Sequence, residues 1–120
     1  NIIKLHEVIQ HSSSWIFLVF EYFGKTLRSF LRRQGAMREP AWLRSVAKPC
    51  FSGIEYCHSR RILHRNVQPK NVRVDPEKRC LKLSGFRQAR YYTLPLTPYT
   101  HDAVILWYRA PEILLGSSKY

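Results

Sequence analysis

The sequence predicts an α+β fold, because two hairpin patterns flank a stretch with helical periodicity, and the strand at residues 15–20 is rich in β-branched and aromatic residues. In the first hairpin, strands at residues 2–9 and 15–20 are joined by a polar turn at residues 10–14. The second hairpin is predicted at residues 72–74 and 81–83, with acidic, proline and basic residues in the turn between them. The segment between the two hairpins is therefore the part of the chain that we expect to be helical.

Two helices are predicted between the hairpins. Thr26 is placed to cap a short helix, which Gly35 ends. Pro40 fits the first turn of a longer helix that continues to about Arg60. The apolar face of the short helix comprises Leu27, Phe30 and Leu31. The inward face of the longer helix is predicted to comprise Leu43, Val46, Ala47, Cys50, Phe51, Ile54 and Cys57.

The longer helix contains two unfavourable residues. Pro49 removes a backbone hydrogen bond and clashes with the preceding turn, at a cost of about 3 kcal/mol. Gly53 adds about 1 kcal/mol relative to alanine. We expect the helix to persist with a kink, in a domain of reduced stability.

Composition disfavours several functional classes. The net charge is +12, from 20 Lys and Arg against 8 Asp and Glu, which would suit nucleic acid or an anionic membrane. The basic residues are scattered, however, and no zinc, helix-turn-helix or aromatic stacking motif accompanies them. We therefore expect no specific nucleic-acid partner. The longest apolar runs are too short to span a bilayer, so we expect no membrane partner.

The cysteines indicate the cellular compartment. Cys50, Cys57 and Cys80 are odd in number and lack Cys-x-x-Cys spacing, which disfavours a disulfide framework or a zinc site. Reduced thiols are the simpler interpretation. They predict an intracellular protein, located in the nucleus or the cytoplasm.

Several segments closely match one known family. Residues 64–71 (H-R-N-V-Q-P-K-N) resemble the H-R-D-x-K-P-x-N catalytic loop of protein kinases. Residues 99–116 (Y-T-H-D-A-V-I-L-W-Y-R-A-P-E-I-L-L-G) resemble the activation segment and A-P-E motif of cyclin-dependent kinases. Residues 1–9, 18–22 and 56–59 are similar to that family's fourth and fifth strands and the approach to its catalytic loop. The resemblance therefore extends over essentially the whole chain.

This resemblance implies a fragment of the bilobal protein-kinase fold. Residues 1–22 correspond to small-lobe strands and the approach to the hinge. Residues 23–120 correspond to the hinge and the first half of the mainly helical large lobe. In the family, the Gly-rich loop, the strand-three lysine and the regulatory helix all precede the matching region. We therefore expect residues 1–120 to form a partial kinase domain.

The resemblance also implies that the catalytic positions have changed. Asn66 stands where an aspartate accepts the substrate proton, and Gln68 where a lysine steadies the transferred phosphate. An amide takes up no proton at neutral pH, and a positioned base contributes about a hundredfold to ten-thousandfold in rate. Of the magnesium ligands Asn71 is retained, whereas Gly85 and Arg87 replace the aspartate and glycine of D-F-G. The family's cofactors, ATP and Mg²⁺, are therefore expected to bind poorly.

The predicted nucleotide pocket is altered as well. By resemblance it comprises Phe20 at the gatekeeper position, Glu21 and Phe23 in the hinge, and Arg73 beneath the adenine. Thr26 replaces an aspartate that family members use on the ribose. A guanidinium can stack on an adenine ring, but in a narrow slot we expect Arg73 to obstruct entry or to extend into solvent.

The regulatory positions are better preserved. Thr100 matches the activating phosphothreonine, and Arg65 and Arg90 match two of the arginines that bind its phosphate. The matches to the pocket for a substrate proline are Ala103, Val104 and Arg109. Ile105 replaces a threonine that, in the family, bonds the catalytic aspartate and lysine.

Three hypotheses follow from the resemblance. The preferred one is a cyclin-dependent-kinase-like serine/threonine kinase domain that is catalytically impaired, either a pseudokinase or a fragment. One alternative is a weakly active proline-directed kinase. The other is a non-catalytic binding module or the product of a decayed gene copy. A cyclin or a protein substrate is the partner that the resemblance implies.

Overall fold

A computed structural model describes residues 1–34, 40–77, 80–95, 98–99 and 105–120. The predicted helix end at Gly35 and the predicted site residues Thr100, Ala103 and Val104 lie outside these ranges. The described elements, in chain order, are β1 Leu5–Ser12, β2 Trp15–Phe20, β3 Lys25–Thr26, α1 Leu27–Gln34, α2 Pro40–Ser59, β4 Ile62–Leu63, β5 Val72–Asp75, β6 Cys80–Leu83, β7 Arg90–Tyr91 and α3 Pro111–Leu114. This mixture of helices and strands confirms the predicted α+β class.

The first hairpin differs from the prediction at both ends. Strand β1 pairs antiparallel with β2 and extends to Ser12, which lies opposite Trp15, so the predicted turn over residues 10–14 is wrong. The chain reverses over Ser13 and Ser14 alone, and the Ser14 amide donates to the side-chain oxygen of Ser12 at 3.3 Å. The predicted start is also wrong, since Ile2 forms a parallel bridge with Leu83 of β6 instead of joining the hairpin.

The second hairpin is present, as predicted, and it carries the core of the fold. Strand β5 pairs antiparallel with β6, and β3 adds to the other edge of β5. One face of this sheet carries the buried cluster of Val72, Leu81 and Leu83. The side chains that pack against this cluster are Leu27, Val46, Cys50, Ile54 and Phe86. The core therefore lies between the sheet and the two longer helices.

Helix α2 continues through Pro49, as predicted, but its buried face is narrower than predicted. Cys57 is buried, whereas Leu43 and Phe51 are 50% and 70% exposed, and Ala47 is exposed as well. The prediction that these three residues face inward is wrong. The β5–β6 sheet covers only the stripe of the helix that carries the residues in the core.

The short helix α1 begins as the sequence predicts. The Thr26 side-chain oxygen accepts a hydrogen bond from the Ser29 amide at 3.1 Å, which satisfies one free donor of the first turn. Strands β4 and β7, each of two residues, form a separate antiparallel pair. No helix within the described ranges combines the length and apolar character needed to cross a membrane.

The buried cluster predicts a large effect of truncating Leu83, which is 0% exposed. Leu83→Ala should lower the free energy of unfolding by about 2–5 kcal/mol, because it leaves a cavity between the sheet and α2. Leu115→Ala is the matched control, since Leu115 is 88% exposed and its loss should change stability by less than about 0.5 kcal/mol. Urea denaturation followed by circular dichroism measures both, and equal midpoints for the two variants would contradict the assigned core.

Candidate functional site

The loop of residues 64–71 is anchored by a buried histidine. His64 is 3% exposed, and its Nε2 lies 2.9 Å from the carbonyl oxygen of Ser84, just beyond β6. The edge of its ring contacts Phe86, with 4.5 Å between ring centroids. The backbone amide of Asn66 donates to His64 Nδ1 at 3.2 Å. The loop and the segment after β6 therefore meet at one imidazole.

These contacts determine the tautomer of the neutral His64 ring. Burial lowers the pKa of the imidazole, and the Ser84 carbonyl opposes that shift only in part. Because Nδ1 accepts a hydrogen bond, the proton of the neutral ring lies on Nε2 and is donated to Ser84. A doubly protonated ring would lose the bond from the Asn66 amide.

The two predicted catalytic positions contact each other. Gln68 is 4% exposed, and its Nε2 donates a hydrogen bond to Oδ1 of Asn66. Both groups are neutral amides, so the pair provides neither a proton acceptor nor a cation. The structure therefore brings Asn66 and Gln68 together as a structural pair, without the charges that phosphoryl transfer requires.

The predicted metal position is filled by protein atoms. Gly85 has a φ of 81°, and a Cβ there would lie 2.5 Å from both Cγ and Oδ1 of Asn71. The Asn71 amide is held in place by donating from Nδ2 to the Asn66 carbonyl oxygen at 2.8 Å. The backbone carbonyl oxygen of Asn71 accepts bonds from the Ser84 backbone amide and hydroxyl at 2.8 and 2.9 Å.

This donor set does not fit magnesium. Hard cations need several oxygen ligands, usually including carboxylates. Asn71 contributes one amide, and Gly85 contributes no side chain. Across the part of the chain that the structure describes, no three His, Cys, Asp or Glu side chains gather closely enough to hold a metal ion.

One predicted hinge residue, Glu21, forms an ion pair with Lys82. The Glu21 carboxylate accepts bonds from Lys82 Nζ at 2.6 and 2.7 Å and from the Lys4 amide at 2.7 Å. Hydrogen bonding to Lys82, the largest effect, and to the Lys4 amide lowers the pKa of Glu21. Lys82 Nζ also lies 4.8 Å from the centroid of the Phe23 ring. Glu21 and Phe23 are therefore close together, and both contact a lysine that the sequence analysis missed.

The other residues predicted to contact the nucleotide lie in or at the ends of strands β2, β3 and β5. Arg73 lies in β5, between Thr26 of β3 and Lys82 of β6 in the cross-strand register. Thr26 already uses its hydroxyl as the cap of α1. Phe20 ends β2 and is 44% exposed. The alternation of Leu81, Lys82 and Leu83 could have indicated that Lys82 points away from the core, but not that it meets Glu21.

The predicted phosphate-binding arginines have other contacts. Arg65, which has a φ of 59°, donates from Nε and Nη2 to the hydroxyl of Tyr120 at 3.0 and 2.8 Å. Its guanidinium also lies 5.1 Å from the Tyr99 ring centroid. Arg90 is exposed and donates to the Ala89 carbonyl oxygen at 2.8 Å. Sequence reasoning missed both tyrosines.

Of the predicted proline pocket, Arg109 is the described member. It is half-buried, and its amide donates to the Leu106 carbonyl oxygen at 3.2 Å. This bond closes the short turn Leu106–Tyr108, which precedes α3. Ile105, at the start of that turn, is 45% exposed.

The packing at Gly85 predicts a stability effect. Gly85→Ala should lower the free energy of unfolding by about 1–2 kcal/mol, because alanine is strained in the left-handed backbone conformation. It should lower it by about 1–3 kcal/mol more, because the new Cβ displaces the Asn71 side-chain amide from its hydrogen bond. Gly116→Ala is the matched control, because Gly116 has a φ of 92° and no atom within 4 Å of its added Cβ. Equal losses in thermal unfolding would show that Asn71 does not fill this space.

His64 predicts a pH-dependent stability. Because burial holds the pKa of the folded ring below its ordinary value of 6.5, the unfolded chain takes up this proton first as the pH falls. The free energy of unfolding should therefore be highest above pH 6.5 and should decrease as the pH falls through 6.5 toward the folded pKa. His64→Gln should flatten this decrease, whereas His11→Gln, at an exposed position in β1, should preserve it. Urea titrations at a series of pH values measure the effect, and an unchanged slope in His64→Gln would contradict the assignment.

One comparison with known proteins bears on this site. A model of the protein kinase domain family matches residues 1–120. The match includes the buried loop, the segment after β6 and the turn before α3. The chain therefore belongs to the protein kinase domain family.

Proposed function

We propose that the chain is a cyclin-dependent-kinase-like serine/threonine kinase domain that has lost phosphoryl transfer and acts by binding a protein partner. The observation that carries this proposal is the hydrogen bond from Gln68 to Asn66. At these positions a kinase needs a proton acceptor and a phosphate-binding cation. Here two neutral amides satisfy each other, and the result is a pseudokinase.

The metal position supports the same conclusion. Kinases neutralise the developing phosphate charge with magnesium, held by an aspartate and an asparagine. In this chain the Asn71 amide occupies the space next to Gly85 and is bonded to the loop. Without a carboxylate at position 85, ATP lacks the ion that would orient its phosphates.

The subfamily rests on sequence resemblance. Residues 99–116 carry the extended match to cyclin-dependent kinases, and Thr100, Arg65 and Arg90 match their phosphate-dependent regulation. In this proposal the β1–β2 hairpin belongs to the small lobe, and residues 23–120 belong to the hinge and large lobe. Protein binding is then the remaining role, and a cyclin or a substrate-like protein is the class of partner.

Nucleotide binding is a separate part of the proposal. Phe20 and the backbone at Glu21 and Phe23 are the hinge contacts that the resemblance assigns to adenine. Arg73 would lie beneath the ring. Lys82 contacts the side chains of both Glu21 and Phe23, and the D-F-G aspartate that would bind magnesium is replaced by Gly85. We therefore expect ATP to be a weak ligand and the protein partner to be the principal one.

The proposal predicts no phosphoryl transfer. The purified chain, incubated with radiolabelled ATP, Mg²⁺ and a Ser-Pro peptide, should give no labelled peptide above the background of an Asn66→Ala variant, because neither chain has a general base. An active protein kinase in the same buffer provides the positive control. Transfer by the wild-type chain that disappears in Asn66→Ala would overturn the proposal in favour of a weakly active proline-directed kinase.

A further inference from the structure

A pocket of about 300 Å³ lies beside the Asn66–Gln68 pair. It is enclosed by the first turn of α1, the turn Pro69–Asn71 and the turn Leu106–Tyr108. The lining residues that matter for its chemistry are Arg28, Gln68, Lys70, Ile105, Trp107 and Tyr108. No residue of the predicted hinge contacts belongs to this lining.

The pocket has a positive electrostatic character. Two of its lining residues, Arg28 and Lys70, are cations, and none of the described residues that line it is acidic. Arg28 is the second residue of α1, whose first turn contains no acidic side chain. The amino end of a helix carries a partial positive charge, which adds to that of the two side chains. At the adjacent catalytic position, Asn66 leaves this charge uncompensated by a carboxylate.

The walls of the pocket suit a peptide. Trp107 is 85% exposed and Tyr108 is 48% exposed, so both offer aromatic surface to a ligand. Tyr and Trp provide a large contact area with little loss of side-chain freedom, and they are enriched where proteins bind other chains. Ile105 adds an apolar contact beside them. The cations and the aromatic residues together favour an anionic group attached to a peptide.

We propose that this pocket binds the phosphomonoester of a phosphorylated peptide. The inference rests on the proposed function, since a chain without transfer chemistry can retain a phosphorylated partner that an active kinase would release. A phosphate dianion suits two cations better than a single carboxylate does, because arginine and lysine bind its several oxygens through charge-assisted hydrogen bonds. A nucleotide fits less well, because the pocket does not include Phe20, Glu21 or Phe23.

Binding can be measured with one fluorescent Ser-Pro peptide in three forms, carrying serine, phosphoserine or aspartate. The phosphoserine form should bind the purified chain at least about tenfold more tightly than either other form, and added salt should weaken it. Equal affinity of the three forms would overturn the proposal. Equal binding of the phosphoserine and aspartate forms would also overturn it, because it would show a general acidic-peptide site.

Competition separates the sources of phosphate. AMP and inorganic phosphate should each displace the labelled phosphopeptide only at concentrations at least about tenfold above that of unlabelled phosphopeptide, because neither uses the aromatic walls. Displacement by AMP at the same concentration as the phosphopeptide would overturn the proposal and identify a nucleotide phosphate site. Displacement by inorganic phosphate at the same concentration as the phosphopeptide would show that the peptide adds nothing to the affinity, and it would also overturn the proposal.

Charge-matched variants test the location. Arg28→Ala and Lys70→Ala should each weaken phosphopeptide binding about fivefold or more, with little effect on the serine form. Lys48→Ala removes the same charge from α2, outside the pocket, and should leave the affinity within about twofold. All three residues are exposed, so the variants should keep the thermal transition of the wild type. An equal loss in Lys48→Ala would assign the binding to net charge alone.

The outcomes also separate this inference from the proposed function. A chain that neither transfers phosphate nor prefers the phosphoserine peptide would contradict the pocket assignment and leave the pseudokinase proposal intact. A chain that transfers phosphate to the serine peptide in an Asn66-dependent manner would overturn both.

Discussion

The conformation of the loop depends on one closed circuit of hydrogen bonds through the neutral imidazole of His64. His64 donates to the Ser84 carbonyl, the Ser84 amide donates to the Asn71 carbonyl, and the Asn71 side chain donates to the Asn66 carbonyl. The Asn66 amide then returns to His64 Nδ1. Protonation of His64 at Nδ1 keeps the bond from Nε2 to the Ser84 carbonyl but breaks the circuit at its last bond, the one from the Asn66 backbone amide. The loop and the segment after β6 are therefore held as one unit.

This circuit contains no formal charge, and that explains how the loop keeps its conformation without catalytic carboxylates. Burying a charge is expensive unless a partner or a metal compensates it, whereas amides and an uncharged imidazole need only hydrogen bonds. The Asn66–Gln68 pair and the Asn71 amide beside Gly85 satisfy that condition. The described part of the chain has no buried side-chain nitrogen or oxygen without a hydrogen-bond partner. The neutral side chains of the loop and of the segment after β6 therefore satisfy their hydrogen bonds within the chain.

The sequence predicted the elements whose pattern is local. Strand β2, the cap at Thr26, helix α2 through Pro49 and the β5–β6 hairpin follow from periodicity, capping and turn residues. It did not predict contacts between residues far apart in the chain. Lys82 meets Glu21 across 61 positions, and Arg65 meets Tyr120 across 55. Nothing in the local pattern selects those partners.

Short elements and helix faces were missed for a related reason. Strands β3, β4 and β7 have two residues each, too few for any periodicity, and they exist because a neighbouring strand offers hydrogen bonds. The apolar stripe of α2 was read correctly as a pattern, but its exposed edge depends on how much of the helix the β5–β6 sheet covers. For the candidate site, the resemblance identified which positions to inspect. The hydrogen bond between the side chains of Gln68 and Asn66 was visible only in the structure.

The loss of carboxylates changes what the site can hold more than it changes its shape. An enzyme accelerates a reaction only through contacts that strengthen in the transition state, and tight binding of a substrate or product opposes turnover. In the proposed pseudokinase, where Asn66 provides no base and Gly85 no metal ligand, that restriction no longer applies. In the pocket that we propose for a phosphopeptide, Arg28 and Lys70 can then stabilise the bound phosphate in its ground state. In the function we propose, a chain with a net charge of +12 therefore combines the loss of catalysis with a surface suited to retaining an anion.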